Sequence, residues 1–307
     1  MTGAARCLLV GALVAAASTT ARARPQVFRG GTDTVQLSVT VTDAAQHFVT
    51  GLHREDFQIF EDGVPQDISL FSGERQPIAL SMLIDSSTSM ESKLAIAKEA
   101  AVGFARRLGA RDLAEVIDFD NHESILQGFT HDVPALEAAI HKTEAGGSTA
   151  LYDAIYIALR DLARAPGVAS DDIRRQAIIV LSDGEDTASL KTYDDVLDEA
   201  KRAEALIYGI ALHAKEDGPH KGFSQGDFVM RTLAQETGGW AFFVEDLAQL
   251  SGVYQKVADE LSNQYVLGFV SKNRKHDGTW RRIAVRVNRP DTAARTRSGY
   301  FAPAADR

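Results

Sequence analysis

Residues 77–91 read Pro-Ile-Ala-Leu-Ser-Met-Leu-Ile-Asp-Ser-Ser-Thr-Ser-Met-Glu. The apolar run at 78–84 has the length and composition of a buried parallel strand. The run ends at Asp85, and the hydroxyl residues Ser87 and Ser89 follow before helix-forming sequence begins. A carboxylate at the end of a buried strand, next to a hydroxyl-rich loop, gathers several oxygen atoms in a small volume. Oxygen atoms are the ligands of hard divalent cations such as Mg²⁺, so the stretch indicates a cation site.

Short apolar strands alternate with helical segments on the C-terminal side of this run. The predicted strands are 78–84, 114–119, 124–129, 177–182, 206–212 and 240–244. The predicted helices are 91–108, 133–143, 150–163, 193–205, 227–237 and 248–263. Such alternation is typical of the α/β class, here a doubly wound, Rossmann-like, mostly parallel sheet with helices on both faces.

The sequence before residue 77 is of the β type. Residues 35–42 alternate between apolar and polar, which indicates a half-buried strand. Two further short strands are predicted at 57–60 and 67–71, with Glu61-Asp62-Gly63 as the hairpin turn between them. We therefore expect a small antiparallel β module ahead of the α/β segment.

The C-terminal sequence returns to β-strands. They are predicted at 265–270, at 280–287 and near Tyr300, with Asp277-Gly278 as a hairpin turn. These strands are too few to build a core of their own. We expect them to pair with the N-terminal module, so that one small antiparallel β unit is built from both chain ends.

The first residues have the pattern of a secretory signal peptide. Arg6 precedes an apolar stretch at 7–17, and Ala21-Arg22-Ala23 supplies a small-x-small cleavage site. The apolar stretch is short for a bilayer span, so we expect cleavage near Ala23 and no membrane insertion afterwards. The expected location is periplasmic or secreted. The predicted division is a signal peptide at 1–23, the N-terminal β module at 24–76, the α/β domain at 77–263 and the C-terminal strands at 264–307.

The charge balance argues against nucleic acid as a partner. The chain has 42 acidic and 33 basic residues, a net charge of −9. No run of basic residues stands out, and an acidic protein is poorly suited to bind nucleic acid or anionic lipid.

The order of strands predicts that distant residues meet. The strands that end at Asp85 and at Asp183 are the first and fourth of the α/β segment, and they lie side by side in the common doubly wound order. Ligands bind outside the carboxyl ends of such strands, so both aspartates should face one crevice. The loop Gly146-Gly147-Ser148-Thr149 lies just before a predicted helix, where Thr149 takes the position of an N-cap hydroxyl.

These three pieces resemble the metal-ion-dependent adhesion site of von Willebrand factor type A domains. The matching residues are Asp85-x-Ser87-x-Ser89, Thr149 after Gly-Gly-Ser, and Asp183 in Leu-Ser-Asp-Gly. The resemblance covers about residues 78–263. It implies that Ser87, Ser89 and Thr149 offer hydroxyl oxygens to Mg²⁺ (or Mn²⁺ or Ca²⁺), and that Asp85 and Asp183 bind the ion directly or through water. It further implies a protein partner that presents an Asp or Glu side chain to the ion.

The chain ends are similar to those of bacterial secreted proteins related to von Willebrand type A domains. The similarity lies in Val-Thr-Gly-Leu-His-Arg-Glu-Asp-Phe at 49–57 and Glu-Asp-Gly-Val-Pro at 61–65. Three other acidic residues lie near the motifs. Asp153 is either a support of the metal site or a helix N-terminal charge, and Glu185 and Asp186 are interpreted as solvated loop residues.

Three functions follow as hypotheses. The first is a non-enzymatic adhesion module that captures an acidic side chain through the cation. The second is a structural or assembly component of the cell envelope, in which the metal stabilises the loops. The third is a metal-dependent hydrolase. The sequence disfavours it, because phosphatases that resemble haloacid dehalogenases need a second Asp where Ser87 stands, and His-Glu-x-x-His does not occur.

Overall fold

The computed structural model describes residues 34–166, 174–213 and 224–304, and the predicted signal peptide lies outside them. The strands are β1 (Thr34–Asp43), β2 (Phe57–Glu61), β3 (Val64–Gln66), β4 (Ile68–Ser72), β5 (Ile78–Asp85), β6 (Leu113–Phe119), β7 (Glu123–Thr130), β8 (Arg175–Ser182), β9 (Ala205–Leu212), β10 (Ala241–Val244), β11 (Tyr265–Val270), β12 (Trp280–Val287), β13 (Thr292–Arg295) and β14 (Gly299–Phe301). The α-helices are α1 (Leu94–Ala105), α2 (Val133–Lys142), α3 (Leu151–Leu162), α4 (Tyr193–Arg202), α5 (Gln225–Thr237) and α6 (Leu250–Asn263).

A six-stranded sheet with the order β10-β9-β8-β5-β6-β7 forms the α/β part of the chain. Its strands run parallel except β7, which is antiparallel to β6. One face packs on α1, α2 and α6, and the other packs on α3, α4 and α5. The predicted α/β class with a mostly parallel sheet between two helical layers is confirmed.

Strand β5 lies at the centre of this sheet. All eight of its residues are buried, because β6 and β8 flank it and helices cover both faces. A strand in this position reads as a continuous apolar run, which is why 78–84 was decisive in the sequence.

Helix α1 is shorter than the predicted span of 91–108. The hydroxyl-rich loop continues as a 3-10 turn at Thr88–Met90, and the α-helix begins at Leu94 and ends at Ala105. Ser and Thr side chains compete for backbone hydrogen bonds and favour turns over helix interiors. The loop therefore extends into the first turn of the predicted helix.

The remaining strands form two four-stranded sheets, which we call the β unit. Their orders are β13-β1-β11-β4 and β14-β12-β2-β3. C-terminal strands β11 and β12 pair antiparallel with N-terminal strands β1 and β2, respectively. Both sheets contribute to one apolar cluster, in which Val35, Leu37, Val39 and Val41 of β1 alternate inwards. Because successive side chains of a strand point to opposite faces, apolar residues at every second position of β1 bury one face of the strand.

Both hairpin predictions were wrong in their partners. The Asp62-Gly63 turn joins β2 to β3 rather than to the strand predicted at 67–71, and β4 lies in the other sheet. Both turn residues have positive φ, 49° and 82°, as a tight two-residue hairpin requires. Likewise β11 and β12, on either side of Asp277-Gly278, belong to different sheets. Turn residues identify a reversal of the chain but do not choose the strand that pairs.

A polar cluster joins the β unit to the α/β part. The carboxylate of Glu260 on α6 accepts hydrogen bonds from Thr40 of β1 at 3.0 Å and from Tyr208 of β9 at 2.9 Å. Arg295 of β13 forms an ion pair with the same carboxylate.

Within the described residues, no helix combines the length and apolar character needed to cross a membrane.

Candidate metal centre

The carboxyl ends of β5 and β8 meet at one edge of the central sheet. The two strands pair in parallel up to Ile84 and Leu181, Asp85 ends β5, and Asp183 directly follows β8. Residues about 100 apart in sequence therefore become neighbours through strand order, as the doubly wound arrangement predicts.

Asp85 is fully buried at this edge. Its Oδ1 accepts a hydrogen bond from the backbone N–H of Ser87 at 2.8 Å, and its Oδ2 accepts one from the hydroxyl of Ser182. Burial raises the pKa of Asp85 to about 6, although the hydrogen bonds from Ser182 and Ser87 oppose the shift. The two contacts fix the carboxylate at the base of the loop.

Ser87, Ser89 and Asp183 form a continuous chain of hydrogen bonds. The hydroxyls of Ser87 and Ser89 lie 3.1 Å apart, and Ser89 Oγ donates to Asp183 Oδ1 at 2.7 Å. The motif residues after β5 thus reach the motif residue after β8 directly. A hydroxyl that donates its proton to a carboxylate keeps its lone pairs available for a cation.

Lys93 is a member of the cluster that the sequence motifs did not reveal. Its Nζ lies 2.5 Å from Asp183 Oδ2, and the two side chains are 2% and 1% exposed. It also lies 3.4 Å from the backbone carbonyl of Ser89. A lysine at the N-cap position of α1 opposes the helix dipole, and that mismatch was the available sequence signal.

The glycine loop closes the second side of the cluster. Gly147 has a φ of 71°, and its carbonyl accepts hydrogen bonds from the hydroxyl and the N–H of Thr88 at 2.9 and 3.1 Å. The N–H of Gly146 donates to the carbonyl of Ser86 at 2.7 Å. The left-handed backbone at Gly147 lets the two loops approach, and it disfavours residues with a Cβ.

Thr149 is not the N-cap of α3. Ala150 holds that position with a φ of −97° and without a side-chain cap. Thr149 is instead held by the loop after β8, since its N–H donates to Thr187 Oγ1 at 3.0 Å and its carbonyl accepts from the N–H of Thr187 at 2.9 Å. Its own Oγ1 lies 3.7 Å from the place that a Cβ on Gly184 would take, beside Asp183. The hydroxyl thus reaches the same edge as the other motif residues.

The other nearby carboxylates hold the loop that follows β8. Asp153 accepts hydrogen bonds from the backbone N–H groups of Leu190 and Lys191, both at 2.8 Å. Asp186 accepts from the N–H of Tyr152 at 3.1 Å, and Glu185 accepts from the N–H of Gln225 at 3.0 Å. All three carboxylates are engaged with backbone groups, and Asp153 holds the part of loop 184–192 that contains Leu190 and Lys191.

The donor set fits a hard cation. Asp85, Ser87, Ser89, Thr149 and Asp183 supply oxygen atoms alone, the ligand type of Mg²⁺, Mn²⁺ and Ca²⁺. Across residues 34–166, 174–213 and 224–304, no group of three or more His, Cys, Asp or Glu side chains is placed to hold a metal ion. The three hydroxyls of the set, unlike its two carboxylates, would not neutralise the charge of a cation.

Comparisons with known proteins agree with the fold. Residues 80–185 match the family model described as von Willebrand factor type A domain. A UPF0353 protein of Mycolicibacterium vanbaalenii is 24% identical over 215 residues, 64% of this chain and 64% of the relative. A UPF0353 protein of Mycobacterium tuberculosis is 24% identical over 233 residues, 70% of this chain and 69% of the relative. The chain thus spans about two thirds of the length of these relatives.

A solved structure extends the likeness beyond the central sheet. The von Willebrand factor type A protein from Catenulispora acidiphila superposes with a TM-score of 0.52 at 14% identity. The superposition covers 90% of this chain and 64% of that one, so it takes in strands of the β unit as well as the α/β part. At this level of identity the likeness concerns the fold.

Proposed function

The chain is a von Willebrand factor type A domain protein, and on that premise we propose that it is an exported, non-enzymatic binding module. In this proposal Asp85, Ser87, Ser89, Thr149 and Asp183 hold a divalent cation, Mg²⁺ in the first instance. The cation captures an Asp or Glu side chain of a partner protein. The observation that carries the proposal is the hydrogen-bonded chain Ser87–Ser89–Asp183, which joins the two motif segments.

The charge of the cluster supports capture of an external anion. The three hydroxyls are neutral, and the carboxylate of Asp183 is already paired with the Lys93 ammonium. A bound dication would therefore keep part of its positive charge and coordination positions for water or an outside ligand. When bound, the ion would supply this electrophilic position, while the residues of the chain orient it and hold the two loops together.

The surface beside the cluster supports protein contact. Leu190, in the loop that Asp153 holds, is 93% exposed, and Phe228 at the start of α5 is 53% exposed. Large apolar side chains at the rim of a charged site suit a protein partner better than a small ion alone. The division into the domain at 77–263 and a β unit from both ends is part of the proposal, with capture assigned to the domain.

The test compares the wild-type protein with Asp85→Ala. Calorimetric titration should show saturable Mg²⁺ binding that the variant loses, and protein captured from an extracytoplasmic fraction should depend on Mg²⁺ and be released by EDTA. If capture survives in Asp85→Ala while only the melting temperature falls, the structural alternative is correct. Turnover of phosphate or ester substrates that depends on Asp85 would support the hydrolase instead.

A further inference from the structure

A second cluster of charged side chains lies at the amino edge of the central sheet, opposite the candidate metal centre. A cavity of about 320 Å³ opens there between the starts of β8 and β9 and strand β1 of the β unit. Arg174, Arg175 and Arg297 line it, together with Thr296. A cavity of this volume accommodates a small ligand.

The lining carries hydrogen-bond donors without partners. Within residues 34–166, 174–213 and 224–304, the Nε atoms of Arg174, Arg175 and Arg297 are buried and make no hydrogen bond, and neither does the buried Oγ1 of Thr296. Buried polar groups in folded proteins nearly always have partners, so unsatisfied donors that cluster around one cavity point to a missing acceptor.

Two of the three arginines also have no ion pair with a carboxylate in the described part of the chain. Arg175 is 7% exposed, and its guanidinium donates to Gln264 Oε1 at 2.5 Å and to the backbone carbonyls of Gln76 and Leu261. Arg174 donates to the carbonyl of Arg111 at 2.7 Å. Among the described residues, no acidic side chain lies within 4.0 Å of either guanidinium.

Other buried arginines of the chain show what is unusual here. Arg281 and Arg295 also have an unpartnered Nε, but they form ion pairs with Glu61 and Glu260, respectively. Burial lowers the pKa of Arg175 and the nearby Arg75 adds to the shift, whereas Tyr208 and Asp112 oppose it. A buried cation surrounded by neutral acceptors is costly unless an anion joins it.

We propose that this cavity is a binding site for a small doubly charged oxyanion of the phosphate class. Among the described residues that line the cavity, three are arginines and one, Glu204, carries a carboxylate; the Glu204 side chain is 63% exposed and lies 3.4 Å from Arg297 Nη2. The excess of two positive charges matches a dianion, and guanidinium groups bind phosphate oxygens with good geometry. Since the lining comes from both the central sheet and the β unit, the bound anion fastens one to the other.

The test uses the whole chain and inorganic phosphate as the probe. Calorimetry and thermal melts in phosphate are compared with melts in NaCl of equal ionic strength. Phosphate should bind saturably and raise the melting temperature, because it binds the folded state. Absence of a saturable signal, or an equal shift in NaCl, overturns the proposal.

Three variants locate the signal. Arg174→Gln should weaken phosphate binding about tenfold, and Glu204→Gln should strengthen it, because an internal carboxylate no longer competes. The exposed Arg274 of the C-terminal segment does not line the cavity, so Arg274→Gln should leave binding unchanged. An unchanged affinity in folded Arg174→Gln contradicts the site. Succinate that binds more tightly than phosphate contradicts the phosphate class.

Discussion

The two edges of the central sheet carry opposite chemistry. At the carboxyl edge, Asp85 and Asp183 lie among hydroxyls, and Lys93 pairs with one of them. At the amino edge, Arg174 precedes strand β8 and Arg175 is its first residue, and no described carboxylate pairs with either. Asp183 follows the other end of the same strand. The carboxyl edge thus holds its own counter-charge, whereas the amino edge leaves cations uncompensated. Under our two proposals an ion would act differently at the two edges: as a bridge to a partner at the carboxyl edge, and as the hydrogen-bond acceptor of the arginines at the amino edge.

The largest effect is expected from Lys93→Met, which removes the counter-charge of the carboxyl edge. Breaking a buried ion pair by removing one partner typically costs about 3–5 kcal/mol, because the remaining charge stays buried. We expect the metal-free protein to lose about that much stability in urea-induced unfolding. Addition of Mg²⁺ should recover more stability in the variant than in wild type, since the dication takes over the role of the ammonium.

The exposed Lys256 of α6 provides the matched control. Lys256→Met should change the free energy of unfolding by less than about 0.5 kcal/mol. If Lys93→Met changed the free energy of unfolding as little as Lys256→Met, the ion pair with Asp183 would not stabilise the carboxyl edge. The contrast drawn between the two edges would then be wrong.

The next effect concerns Glu115, which lies between the two edges. It is 2% exposed, pairs in register with Ser81 in the middle of β5, and accepts that hydroxyl's hydrogen bond. Burial raises its pKa to about 7 from an ordinary value of 4.5. The folded state therefore binds the proton more tightly than the unfolded state, and Glu115 should reduce stability as pH rises from about 4.5 to about 7.

Glu115→Gln keeps the shape of the side chain and removes this dependence. At pH 8 the variant should be more stable than wild type by about 2–3 kcal/mol, and at pH 4 the two should be nearly equal. Urea unfolding at a series of pH values measures the difference. A constant difference across the range would show that the pKa of Glu115 is the same in the folded and unfolded states.

The sequence predicted the carboxyl edge far better than the amino edge, for a physical reason. Asp85 and Asp183 each end an apolar run, so the parallel order of strands alone brings them together. Lys93 was not predicted as a member of the cluster, because it lies outside the hydroxyl motif and within the predicted helix 91–108. The prediction of Thr149 as an N-cap was wrong, because the cap position depends on the backbone angles at Ala150, which the sequence does not determine.

The arginine cavity had no sequence pattern at all. Arg174 and Arg297 are 123 positions apart, and the packing of the β unit against the central sheet brings them together. The hairpin partners were wrong for a similar reason: Asp62-Gly63 fixes a turn, but the sheet in which β4 pairs depends on β11, almost 200 residues later. Pairings over such distances are set by the assembled core rather than by local residues.

A smaller effect is expected from Asp153→Ala, which tests whether the carboxyl edge depends on its supporting loop. The change removes the acceptor of two backbone N–H groups, those of Leu190 and Lys191. We expect a loss of about 1–2 kcal/mol in stability. Mg²⁺ affinity should weaken several-fold, because the loop that Asp153 holds would no longer orient the residues proposed to bind the ion. Phosphate affinity should not change. The matched variant Asp198→Ala, whose carboxylate pairs with the exposed Arg202 on α4, should leave both affinities unchanged.

The smallest effect is the coupling between the two edges. Strand β8 runs from Arg175 to Ser182, eight residues, which separates the edges by about 25 Å. Perturbations that far apart with no shared partners usually add within about 0.5 kcal/mol. We therefore expect Asp85→Ala to leave phosphate affinity unchanged within about twofold, and Arg174→Gln to leave Mg²⁺ affinity equally unchanged. The variant that combines Asp85→Ala with Arg174→Gln, titrated with Mg²⁺ and with phosphate in the calorimeter, completes the double-mutant cycle. A coupling well above this limit would mean that phosphate, by fastening the β unit to the sheet, shifts the loops at Asp85, and the two edges would then have to be treated as one linked site.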